Sequence, residues 1–476
     1  MKEDNQTVFP FANLHGKKME GTFDGGALTS DGGAVLLREV DRRMGLIERV
    51  VGVLRDWRDP RYVVHSLTDL VRQRVFQICL GYEDADDADV LRTDPGLKAA
   101  CERLPVTGVD LASQPTISRL ENRVDRRALV RMAYALGDAF IASFSTPPRQ
   151  VLLDVDDSTD VVHGAQQLSL FNGHVGEYTY QPLHVFDGLT GRLITTVLRP
   201  GCRAKGLQVV TILKRVVARL QQAWPEVEII VRGDSHFSVP EVHEWCAQRG
   251  LWFILGQSPN PTLHERIAPT LARAQALFDA GMRPQPQEPA QTRTQNAAEG
   301  AGQQAQEEEP PPVRLFTAFT YQAGSWKQPL RVVAKAEVSA RGTNVRFVTT
   351  NLTSSQPSFI YQQAYAGRGA MENFIKNHKT YLHSDRTSCH SFAANQFRLF
   401  LHSVAYMLLH ALQESLLPDT VLEKAYFNTV QQRVLKVAAR VVERATVIRI
   451  HWPSSFPLQK LFQRIDRRLH PSAAPA

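Results

Sequence analysis

A chain of 476 residues is too long for one ordinary hydrophobic core, so two or three domains are expected. Hydrophobic residues at 43% and charged residues at 22% describe a soluble globular protein, and a net charge of +7 favours a polyanionic partner. The polar opening MKEDNQTVF excludes a signal peptide. The longest apolar run, FRLFLHSVAYMLLHAL, is interrupted by Arg398, His402 and His410, which excludes a membrane span and leaves a cytoplasmic location expected.

Five scattered cysteines, with no CxxC pair, predict reduced thiols and neither a disulfide frame nor a zinc site. Residues 1–146 read as mostly helical. Ser30 is placed to cap a helix through AVLLREVDRRM. HSLTDLVRQRVFQICL carries Leu67, Leu70, Val71, Val75 and Ile78 on one side. In SQPTISRLENRVDRRALVRM, Arg119, Arg123, Arg127 and Arg131 recur every four residues, a basic stripe that would lie on DNA phosphates. The plainer alternative is a solvated face partnered by Glu121 and Asp125.

From residue 147 the period changes. RQVLLDVDDSTD is an apolar run ending in acids, and HVFDGLTGRLITTVL is a hairpin. AKGLQVVTILKRVVARLQQAW is an amphipathic helix, VEIIVRGDSHF a buried strand, VPEVHEWCAQRG a helix and LWFILG another strand. That order predicts a mixed α/β sheet covered by helices. Residues 283–312 contain no large apolar side chain and predict a disordered excursion between strand-like segments. Long helices are expected over 391–417 and about 420–446. The stretch from Lys424 to Arg468 holds ten Lys and Arg against two acids. The expected division is a helical DNA-binding domain over 1–146, a catalytic core over 147–260 and 346–417, a β-rich insertion over 261–345, and a basic region over 418–476.

Asp154 and Asp156 alternate onto one strand face, Asp234 ends a second strand, and Glu372 follows in a helical stretch. Chemistry in open α/β sheets gathers at such strand ends. Three carboxylates together repel unless a hard divalent cation joins them. Two Mg²⁺ ions, about 3.5–4 Å apart, suit phosphoryl transfer. In YAGRGAMENFIKNHK, the spacing returns Tyr365, Arg368, Glu372 and Lys379 to one helical face. A metal ligand would then sit inside a phosphate grip. Strand-end aspartates that merely cap turns, and a solvated helix face, are the alternatives.

Taken together, LLDVDDSTDVVHG, FNGHVGEYTYQPLHVFDG, IIVRGDSHF and YAGRGAMENFIKNHK resemble the DDE transposases of bacterial insertion sequences. The nearest likeness is to the family numbered 1380, allied to the family numbered 4. The last segment matches the family's Tyr-x2-Arg-x3-Glu-x6-Lys signature, and SQPTISRLENR is also similar. The resemblance implies an α/β, RNase H-like mixed-sheet core with a β-rich insertion, preceded by a helical N-terminal domain. It implies Asp156, Asp234 and Glu372 as catalytic and metal-binding residues, with Asp157 and Asp154 as alternatives for the first acid. It further implies two Mg²⁺ ions, with Mn²⁺ able to substitute, and cleavage and strand transfer on double-stranded DNA. The DNA would be the element's inverted-repeat ends and a target, held by a homodimer. Tyr365, Arg368, Lys379, Arg119, Arg123 and Arg127 would contact DNA. Trp326 would stack on a flipped base, or simply pack. Arg232 and His236, beside Asp234, would touch the scissile phosphate or fix the loop, and His163 and His174 read as structural. Two competing readings remain: an idle, transposase-derived DNA-binding protein, and a tyrosine recombinase using Tyr365, which leaves the three acids without a role.

Overall fold

The computed structural model describes residues 8–282 and 310–470, so most of the tract expected to be disordered lies outside the described residues. After a short hairpin (Phe9–Leu14 and Lys17–Gly21), helices α1 (Ala34–Met44), α2 (Leu67–Cys79), α3 (Gln114–Asn122) and α4 (Arg126–Ala142) lead into the sheet. Ser66 and Asp69 cap the start of α2 reciprocally: each side chain accepts from the other's backbone N–H, at 3.1 and 2.9 Å. The cap expected from Ser30 does not form. Gly33 precedes α1, and Ser30 donates to Asp31 instead. The reason is packing against the far end of the chain: Gly32 and Gly33 N–H donate to the carbonyls of Val437 and Leu435. A Cβ at Gly33 would fall 2.0 Å from the Val434 carbonyl oxygen, so only glycine allows this approach.

The predicted arginine stripe is also divided. α3 ends at Asn122, and the Asp125 carboxylate accepts from Ala128 N–H at 2.6 Å to start α4. Arg119 and Arg123 therefore belong to one helical end and Arg127 and Arg131 to the next helix. A local cap outweighs a four-residue repeat.

Eight strands form one mixed sheet. In chain order they are β1 (Gln150–Asp157), β2 (Leu183–Asp187), β3 (Leu193–Val197), β4 (Glu228–Gly233), β5 (Trp252–Gln257), β6 (Val313–Tyr321), β7 (Leu330–Ser339) and β8 (Gly342–Thr350). Their spatial order is β6-β7-β8-β5-β4-β1-β2-β3. β4 runs parallel to β1 and β5, and the other neighbours are antiparallel. The strands expected as an insertion thus extend the core sheet, and the boundary expected after residue 345 falls inside β8. β8 pairs with β5 because the β5 edge would otherwise present an unpaired row of backbone groups.

Helices α5 (Gly206–Ala223) and α6 (Pro240–Gln248) bury Val209, Leu213, Val217, Val242 and Cys246 against Leu153, Val155, Val231 and Phe253. α7 (Pro261–Asp279) covers β6 and β7 through Leu263 and Ile267. Beyond the sheet come α8 (Gly369–Lys376) and the buried α9 (Phe392–Leu416). α9 shares one apolar cluster with α1, α2 and α4, joined by Phe186 and Leu193 from the sheet. No described helix is long and apolar enough to cross a membrane. The second long helix, expected over about 420–446, is replaced by a short turn at Phe427–Val430 and strands at Ala439–Glu443 and Ile448–His451. Val441, Val442, Val447 and Ile448 are β-branched and favour a pleated pair over a helix.

Candidate active site

The parallel pairing of β1 and β4 sets the site. Arg232 lies opposite Asp154 and Gly233 opposite Val155, so Asp234, one residue beyond β4, emerges beside Asp156. Asp154 is fully buried. It accepts two hydrogen bonds from the Arg232 guanidinium, at 2.5 and 2.6 Å. Arg232 also donates to the Ala364 carbonyl at 2.5 Å. Asp154 is thereby committed to holding the 360–368 segment over the sheet, and Arg232 fixes that contact.

The two remaining acids converge on another arginine. Arg368 Nη2 is 2.6 Å from Asp156 Oδ2 and 4.0 Å from Asp234 Oδ2. Burial, aided by the neighbouring Asp234 and Asp157 charges, pushes the Asp156 carboxyl up to about 7, while Arg368 works against that rise. Asp157 lies next to it, 3.7 Å from Arg199, its carboxyl raised mainly by burial. Asp234 accepts from the His236 backbone N–H at 2.8 Å, and the His236 ring stands 3.9 Å from its other oxygen.

The signature segment is not one regular helix. Ile360–Tyr365 is a π-helical turn, Ala366–Arg368 a 3₁₀ turn, Gly369–Lys376 the α-helical α8, and Asn377–Tyr381 a second π-helical turn. Such insertions change the angle between residues that a uniform 100° step would align. Tyr365 lies over the bare backbone of Gly256, where a Cβ would come within 2.5 Å of its hydroxyl. Lys379 points to the Thr159 carbonyl and stands 3.5 Å from Asp160, a pair the sequence reading missed although Asp160 lies within LLDVDDSTD. Burial raises the Asp160 carboxyl to about 7 against the pull of Lys379. Glu372 is exposed, and its charge reaches Arg368. The expected face is therefore shared out: Tyr365 and Arg368 meet the strand ends, Lys379 meets Asp160, and Glu372 faces solvent.

Among the described residues no three acidic, histidine or cysteine side chains lie close enough together to share one ion. The donor set nonetheless suits a hard cation. Asp156 and Asp234 offer oxygen ligands side by side, a guanidinium already lies between them, and Asp157 keeps a buried oxygen without a hydrogen-bond partner.

The other predicted residues are dispersed. Arg119, Arg123 and Arg127 are exposed. Trp326 does not present a free ring: it is 8% exposed, packed at 5.1 Å from His243 and 5.4 Å from Tyr321. It fills the gap between α6 and β6, which is the packing role given as the alternative to base stacking. His163 and His174 are both exposed.

Acids at adjacent strand ends of a mixed sheet, faced by a helical segment carrying cations, are the setting for polyanion chemistry. The chain belongs to the transposase DDE domain group 1 family, whose model matches residues 11–474. Membership makes it a DDE transposase and implies metal-dependent polynucleotidyl transfer. No curated protein sequence matches the chain. Among solved structures, it is similar to piggyBac transposase in a synaptic complex with hairpin DNA. Identity is 10%, over 94% of this chain and 87% of that one, with a TM-score of 0.39.

Proposed function

We propose that this protein is the transposase of a bacterial insertion sequence, of the kind numbered 1380 and allied to that numbered 4, built on an RNase H-like core. It recognises the inverted-repeat ends of its own element in double-stranded DNA, acts as a homodimer, and cleaves and joins strands in the cytoplasm. The observation that carries this reading is the meeting of Asp156 and Asp234 at adjacent strand ends around one cation. Glu372, which faces solvent on α8, would have to turn in to complete a ligand set with them. Mg²⁺ held there, or Mn²⁺ in its place, would supply Lewis-acid charge for in-line attack on phosphorus.

The chain's own groups do the rest. Arg368 and Tyr365 are at the right place to orient a phosphate beside the acids, and Lys379 stiffens the far side of the same segment through Asp160. Exposed Arg119, Arg123 and Arg127 neutralise the DNA backbone, which makes binding fall steeply with salt. The basic strands and helix after Lys424 add to that surface.

The test is a plasmid carrying the gene's flanking DNA, incubated with purified protein in Mg²⁺ or EDTA. Cuts at the element boundaries are expected in Mg²⁺ only. Glu372→Gln is expected to bind the ends with unchanged affinity and to lose at least ~10²-fold in cleavage. If Glu372→Gln cuts normally, the helix carboxylate is wrongly assigned. Sequence-specific binding with no cuts under any metal moves the assignment to an idle DNA-binding descendant.

A further inference from the structure

We infer that Arg368 is a built-in occupant of the cation position, bridging Asp156 and Asp234 until a divalent ion displaces it and frees it for a DNA phosphate. The inference rests on the carboxylate assignment proposed above and adds an order of events: metal first, then the arginine's contact with phosphate.

Two arginines approach the same sheet face, and they differ. Arg232 is 2% exposed and fully engaged, with a two-pronged pair to Asp154 and a bond to the Ala364 carbonyl. Its contacts hold the segment in place. Arg368 has one short contact, at 2.6 Å to Asp156, and a looser one, at 4.0 Å to Asp234. Its Nε is buried without a partner among the described residues. The side chain is 21% exposed, so a path outward exists.

The backbone is suited to letting it go. Arg368 ends a 3₁₀ turn between a π-helical turn and α8, with Gly367 and Gly369 on either side. Poor hydrogen-bond geometry in such turns lowers the cost of rewinding.

Charge supplies the reason for the contact. Asp156 and Asp234, with Asp157 adjacent, repel one another in a buried setting, and a guanidinium between them relieves that repulsion. A divalent ion does so more strongly, and the two cations cannot share the place. Arg368 therefore competes with metal in the absence of DNA, and removing it tightens metal binding.

The experiment measures Mn²⁺ binding alone, without DNA, by the electron paramagnetic resonance signal of free ion. Arg368→Gln is expected to bind on the order of tenfold more tightly than wild type, the equivalent of one charge-assisted hydrogen bond. Arg368→Lys is expected to fall between them. Adding Asp156→Asn to Arg368→Gln is expected to abolish the gain. Thermal melts provide the second readout: Mn²⁺ raises the melting temperature of Arg368→Gln more than that of wild type. Equal or weaker Mn²⁺ binding by Arg368→Gln overturns the inference while leaving the carboxylate site intact. No Mn²⁺ binding by either protein, or a gain that survives Asp156→Asn, overturns the carboxylate site itself.

Discussion

Gly256 shows how closely the site is fitted. At the end of β5 it lies under the Tyr365 hydroxyl, and a Cβ there would also stand 2.9 Å from the Ser235 backbone nitrogen. Gly256→Ala must push Tyr365 and the Asp234 loop apart. We expect it to lower stability by about 1–3 kcal/mol, the usual cost of overpacking, and to reduce cleavage. Tyr365→Phe removes the nearest atom. In a double-mutant cycle, the alanine should therefore cost less when Tyr365 is already phenylalanine. Additive effects would show that the hydroxyl is not what Gly256 accommodates. Neither Gly256 nor Asp160 stood out in the sequence, because each is defined by a partner more than 100 residues away. The acids at the strand tips were legible, since they follow from short-range strand alternation, whereas the single helical face expected for Tyr365, Arg368, Glu372 and Lys379 is broken by the π-helical and 3₁₀ turns. The pairings were not legible: Arg368 reaches Asp156 across 212 residues, and no local pattern encodes that.

Single elements carry their own constraint. α6 packs on β5 through His243, whose ring stacks on Phe253 at 5.1 Å and whose Nε2 is 3.2 Å from the Ser238 hydroxyl. Burial pushes this imidazole down to about 4. A histidine depressed in the folded state stabilises the fold fully above its unfolded value of about 6.5 and loses that contribution as pH falls towards 4. Melting temperature against pH should therefore drop more steeply in wild type than in His243→Gln between pH 6.5 and 4. The expected difference approaches about 1.4 kcal/mol per pH unit. Other titrating groups are common to both proteins and cancel. Parallel curves would mean that the ring is protonated without penalty. At this scale the amphipathic helices and the buried strands are legible from their periods. One cap or one β-branched run overrides a longer pattern at Asp125 and around Val441.

Across the whole molecule, one ionic knot binds the N-terminal helices to α9. Glu121 on α3 accepts from Arg74 on α2 at 2.8 Å and from Arg398 on α9 at 2.9 Å, and all three are almost wholly buried. Burial opposes all three charges; the two arginines nonetheless hold Glu121 below its usual range, and Glu121 in turn raises Arg398, while burial still prevails at Arg74. Glu121→Gln leaves two cations facing a neutral amide. A loss of about 3–5 kcal/mol is expected in denaturant titration. Replacing the trio together with apolar side chains should restore much of it. If Glu121→Gln alone is neutral, water must already reach the group. The sequence offered Glu121 only as a surface partner of the arginine stripe, since nothing local tells a buried charge from a solvated one.

The seam between Gly32–Gly33 and residues 434–437, together with the apolar cluster around α9, has a consequence for how the fold comes together. Helices α1, α2 and α4 have no complete interior of their own, because segments far along the chain close it. Closing it is a long-range step, and such contacts slow folding. Until it closes, apolar surface stays open to association.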